Sequence, residues 1–127
     1  MTALTSIIIP DSVVRINGYA FAGNSNLETV VFGENVEVIS YNVFENCTKL
    51  KNVILNEKLV IIGSEALKNC SQLLTVSLPK SVTYIGGSAF SFCSSLIDMY
   101  IESYVPPVVY SDSFQNANAN LSVWLII

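Results

Sequence analysis

Residues Leu73 to Cys93 read LLTVSLPKSVTYIGGSAFSFC, and the apolar positions of this stretch recur along the chain. Its opening leucine is one of five, Leu4, Leu27, Leu50, Leu73 and Leu96, each 23 residues from the next. A period of that length marks a small structural unit that cannot bury its apolar face alone and must stack on its neighbours. The rest of the unit repeats with the leucine. Strand-like sets follow at Leu4/Ile7/Ile9, Leu27/Val30/Phe32, Leu50/Val53/Leu55, Leu73/Val76/Leu78 and Leu96/Met99/Ile101, their last two members alternating as residues on one side of a strand must. A second apolar pair comes next, at Val13/Ile16, Val36/Ile39, Leu59/Ile62, Val82/Ile85 and Val105/Val108, and predicts a second short extended stretch per coil. The dipeptides Ala20-Phe21, Val43-Phe44, Ala66-Leu67 and Ala89-Phe90 then predict a tight helical or 3₁₀ turn. Pro10 and Pro79 after the first strand, and Gly63 and Gly86 after the second, punctuate the coils at matching places.

Size is preserved in each column as well as polarity, so successive rungs can pack at the spacing of paired strands, about 4.8 Å. The boundaries predicted are repeats at 4–26, 27–49, 50–72, 73–95 and 96–120, with a partial sixth strand at 121–127, all in one domain spanning 1–127. Repeat five is irregular: Pro106-Pro107 enters, Phe114 arrives one residue late, and Leu121 follows Leu96 by 25 residues. Because the sixth strand is cut short at Ile127, a fragment of a longer array is expected, with uncapped ends open to self-association.

Composition narrows the function. Charged residues are 13% of the chain and apolar ones 51%, which excludes a disordered segment. Polar residues interrupt every apolar run well short of the roughly 18 residues a membrane-spanning helix needs, so no membrane insertion is expected. Net charge is −4, and no basic cluster is interleaved with aromatics, which argues against nucleic acid as a partner. Met1 to Ile9 lacks the basic and apolar regions of a signal peptide.

The unit L-x-x-V-x-L-P-x-S-V-x-x-I-G-x-x-A-F-x-x-C, clearest in Leu73 to Cys93, resembles the BspA-like, Treponema-type leucine-rich repeat. The resemblance spans nearly the whole chain, weakening in repeat three, where Leu67 replaces the Phe, and in repeat five. It implies a leucine-rich-repeat solenoid of α/β type, with a parallel β-sheet on the concave face and short second strands and turns elsewhere. It also implies that the Pro-Pro variant belongs to a terminal cap. By function it implies a cell-surface or secreted protein that adheres to host or matrix proteins or to other cells.

Candidate chemistry is sparse. Cys47, Cys70 and Cys93 occupy one column, and zinc would need four ligands at short spacings in a chain that has no His at all. The cysteines are read as small buried fillers, and no metal or cofactor is expected. Without His, and with Asp11, Asp98 and Asp112 at unrelated repeat positions, no general base faces a nucleophile, so no enzyme is expected. Asn46, Asn69 and Asn120 stand in N-x-[ST] sequons and are candidate glycosylation sites, although for Asn46 and Asn69 a ladder of turn asparagines bonded to neighbouring backbone is the favoured explanation.

The functional signal lies on the outward side of the first strands. One column there reads Ile8, Val31, Ile54, Ser77 and Tyr100, and its neighbour reads Ser6, Thr29, Asn52, Thr75 and Asp98. An apolar stripe beside small hydrogen-bonding residues is the composition of a protein-contact surface, although β-branched residues also simply suit a sheet. A second apolar column, Val38, Ile61 and Tyr84, would add another adhesive face if exposed, and Tyr19 and Tyr41 lie near the turn. The reading is a non-enzymatic module that binds proteins through its concave face. Its alternatives are structural self-assembly as a homo-oligomer, or an intracellular scaffold, which would explain three reduced thiols.

Overall fold

The computed structural model describes residues 4–102 and 105–126. Met1 of the leader reading and Ile127 of the sixth strand lie outside the described residues. The chain is a parallel-sheet β-solenoid of about five turns. First strands are β1 (Ser6–Ile8), β3 (Thr29–Val31), β5 (Asn52–Ile54), β7 (Thr75–Leu78) and β9 (Asp98–Ile101), with β10 (Ser122–Leu125) as the sixth rung. Second strands are β2 (Arg15–Ile16), β4 (Val38–Ile39), β6 (Ile61–Ile62) and β8 (Tyr84–Ile85). Each strand pairs in parallel with its counterpart one repeat away: Val30 sits opposite Ile7 and Val53, and Ile39 opposite Ile16 and Ile62.

The core is built from the columns read from the repeat, except at the two ends: Leu4 is exposed, and in repeat five Val105 and Val108 lie on the surface, Val108 bridging outward-facing Tyr84. Leu27, Leu50, Leu73 and Leu96 are fully buried, as are Val30, Met99 and the second-strand residues Ile39 and Ile85. Each such side chain contributes about 1.5–3 kcal/mol relative to exposure, so the stack is held mainly by apolar burial between coils. Aromatic rings stack where the repeat supplies them: Phe21 on Phe44 at 5.6 Å and Phe90 on Phe114 at 5.4 Å, with nearly parallel ring planes in both pairs. Leu67 stands between those pairs and interrupts the column. Close approach of backbones explains the conserved-size punctuation at Gly86, where an added Cβ would lie 2.5 Å from the Ser64 nitrogen of the preceding coil.

Two departures from the repeat reading are informative. The turn expected to be helical or 3₁₀ is neither, and no helix occurs among the described residues. In Tyr19–Asn24 the N–H groups alternate in direction. Those of Tyr19, Phe21 and Gly23 donate to Tyr41, Val43 and Glu45 of the next coil, while those of Ala20, Ala22 and Asn24 donate three residues back. Half of the donors a helix needs are thus spent on the neighbouring coil. The left-handed backbone at Tyr19 (φ 62°), Asn42, Glu65 and Ser88, and again at Gly23, Asn46, Asn69 and Phe92, fixes the corners that make this possible.

The first-strand sheet is also split. Its strands form two separate groups, β1-β3-β5 and β7-β9-β10, whereas the second-strand sheet β2-β4-β6-β8 is continuous. Among the described residues no ladder joins β5 to β7, although their Cα atoms approach within 8 Å. On one side of the split, Asn56 ties the end of β5 to the coil before it by donating to the carbonyls of Glu34 (3.2 Å) and Val36 (2.8 Å). On the other side, β7 is held in register with β9 over Thr75 to Leu78.

Candidate functional site

Alternation along the first strands places the core residues inward and the candidate face outward. The ladder registers bring those outward residues into rows: Ile8 beside Val31 beside Ile54, and, past the split, Ser77 beside Tyr100. Ile8 is 76% exposed and Ile54 55%, whereas Val31 and Tyr100 are half-buried. In the parallel row Thr29 lies next to Asn52, and Thr75 next to Asp98. Asn52 donates weakly to the Thr29 hydroxyl at 3.5 Å, and Asn52, Thr75 and Ser77 are exposed.

The structure adds residues that the repeat pattern hid. Trp124 lies opposite Tyr100, 52% exposed, and its indole Nε1–H donates to the Asp98 carboxylate at 2.9 Å. Counting from leucine to leucine, 25 residues from Leu96 to Leu121, turns Trp124 toward the core. The ladder register of coil five is 24, with Ser122 opposite Asp98, and a one-residue change reverses which face each side chain takes. The late Phe114, 24 residues after Phe90, was the available signal. Leu74 and Ile97, at the N-terminal ends of β7 and β9, are also exposed and add apolar surface beside the row, where earlier coils carry Glu28 and Lys51, paired at 3.8 Å.

The other candidates fall elsewhere. Val38, Ile61 and Tyr84 are half-buried on the second-strand sheet, as Val31 and Tyr100 are on the first, and none of these three is as exposed as Ile8 or Ile54. Tyr84 hydrogen-bonds the Tyr110 hydroxyl at 3.2 Å, which raises its pKa. Tyr19 and Tyr41 are exposed and meet edge to face at 5.7 Å. Asn69 donates to the Asn46 side-chain oxygen at 2.9 Å, and both occupy left-handed corners, whereas Asn120 is exposed with its N–H bonded to Asn118. The three cysteines are buried and free, and their thiols donate to the carbonyls of Phe21, Phe44 and Leu67. Burial pushes Cys47 up to about 11, Cys93 to about 12, and Cys70 well above the ordinary thiol value. Thiols so held are packing groups rather than nucleophiles or metal ligands.

No helix among the described residues is long and apolar enough to cross a membrane. In known structures the same architecture recurs. A Treponema pallidum leucine-rich repeat protein superposes with a TM-score of 0.86 at 26% identity, covering 96% of this chain and 59% of that one. A leucine-rich cell surface protein from Faecalibacterium prausnitzii is 25% identical with a TM-score of 0.65, over 96% of this chain and 39% of its own. The pneumococcal vaccine antigen PcpA shares the fold at 22% identity and a TM-score of 0.81, over 96% of this chain and 31% of its own. The chain thus spans less than two thirds of each of these proteins. No curated protein matches it. Leucine-rich-repeat folds typically serve as non-enzymatic scaffolds that bind proteins. The profile of the BspA type leucine-rich repeat region matches residues 1–120 in six copies, and the chain belongs to that family.

Proposed function

We propose that this chain is a non-enzymatic adhesion module, acting as one unit over residues 1–127 within a cell-surface or secreted protein. It binds host or matrix proteins through the concave face of its first strands. The observation that carries this reading is the outward row in which exposed Ile8 and Ile54, together with Tyr100 and Trp124, lie beside the small polar residues Thr29, Asn52, Thr75 and Ser77. Aromatic anchors flanked by short hydrogen-bonding side chains are what protein interfaces use. The description of the Faecalibacterium prausnitzii relative as a cell surface protein supports the location. If the parent protein is secreted by a eukaryote, Asn120 is the sequon best placed for glycan, because Asn46 and Asn69 are hydrogen-bonded to each other.

The test is surface-plasmon binding of the purified chain to fibronectin, laminin and collagen, with light scattering across a concentration series in parallel. Saturable binding by a monomeric chain supports adhesion. Absence of binding with a mass that grows with concentration rejects it in favour of self-assembly.

A further inference from the structure

The split between β5 and β7 opens a cleft of about 360 Å³ on the same face. We propose that this cleft receives a basic side chain, arginine foremost, from a protein bound to the strand face. The proposal rests on the reading of that face as a protein-binding surface and names the chemistry it selects.

The ladder registers determine what the cleft presents. Pairing with β3 uses the backbone groups of Asn52 and Ile54, so the N–H and C=O of Val53 turn toward β7. Pairing with β9 likewise turns the backbone groups of Thr75 and Ser77 toward β5. Three carbonyl acceptors and three N–H donors therefore face a gap that no ladder closes, with the hydroxyls of Thr75 and Ser77 on the same lining. Such groups need a hydrogen-bonding occupant, and an apolar one would leave them unsatisfied.

Charge selects among polar occupants. Glu57 and Glu102 line the cleft, and neither forms an ion pair among the described residues. Lys51, also on the lining, lies 3.8 Å from Glu28, and the neighbouring Lys58 is engaged by Asn35 at 2.7 Å. The backbone lining offers donors and acceptors alike, so the two carboxylates decide: Glu57 and Glu102 repel an anionic side chain and attract a cationic one. A guanidinium brings five donors in a planar fork suited to carboxylate and carbonyl oxygens, where an ammonium brings a point charge with three.

The experiment is a ¹⁵N chemical-shift titration of the intact chain with acetyl-arginine N-methylamide, run beside the corresponding norleucine and glutamate derivatives. The arginine derivative is expected to give saturable shifts centred on the amides of Val53, Thr75 and Ser77, and the other two are not. The double variant Glu57→Gln/Glu102→Gln, both positions being exposed, should keep the folded spectrum and bind about tenfold more weakly. Shifts scattered over surface carboxylates, equal response to the glutamate derivative, or an unchanged double variant would overturn the proposal. Because the probe is a single residue, such a failure leaves the wider adhesion reading to its own binding test, and failure of that test would leave this result standing.

Discussion

At the residue scale, the columns divide side chains that hold the stack from side chains that face outward. Leu50 is fully enclosed between two coils, so Leu50→Asp buries an unpaired carboxylate where no donor is at hand. Its cost, about 4 kcal/mol or more, is comparable with the whole stability of a small domain, and circular dichroism should show the variant unfolded or melting far below the parent. Tyr100→Ala removes a ring from the outward row and should melt within a few degrees of the parent. A normal melt for Leu50→Asp, or an unfolded Tyr100→Ala, would show that inward and outward have been misassigned. The thiol ladder gives a pH signature. Burial raises Cys47 from 9.0 to about 11 and Cys93 to about 12, so the folded state retains protons that the unfolded chain releases first. Stability from this source is complete below about pH 9 and falls as pH rises toward 11 to 12. Thermal melts between about pH 8 and pH 11 should decline, and Cys93→Ala should flatten the decline while lowering the melt at pH 8.

At the element scale, the split sheet makes a prediction about exchange. The amides of Val30 and Val76 lie within ladders, whereas that of Val53 faces the gap between β5 and β7. Native-state hydrogen exchange should therefore be fast at Val53, Thr75 and Ser77 and slow at Val30 and Val76, and uniform protection across all five would mean a continuous sheet. Nothing in Asn52-Val53-Ile54 announces this, because its alternation matches that of every other coil. What the repeat did disclose were the columns, since burial demands the same size and polarity at each rung. The turns were misread because Ala20-Phe21 and its counterparts show apolar spacing but not where their N–H groups go, and half go to the neighbouring coil. Trp124 was missed for a related reason. Coil five carries one extra residue before Phe114, and the leucine spacing of 25 overstates the shift, so counting from it would put a surface aromatic in the core column.

At the scale of the whole molecule, the two sheets divide the labour. The second-strand sheet runs unbroken through coils one to four, and its outward residues Val38, Ile61 and Tyr84 are half-covered by their neighbours. The first-strand sheet presents the open row, the aromatic pair Tyr100 and Trp124, and the cleft. Adhesion through one face and not another is thus the central claim, and the tyrosine pair Tyr19 and Tyr41 on the turn side supplies its control, being more than half exposed and aromatic but off the strand face. The most direct measurement compares two double variants, Ile54→Ser/Tyr100→Ala and Tyr19→Ala/Tyr41→Ala, with the parent chain for binding to the same immobilised matrix proteins. The account predicts that the strand-face variant loses about tenfold or more in affinity while the turn-side variant binds as the parent does. Equal binding by the strand-face variant, or loss confined to the turn-side variant, would contradict it.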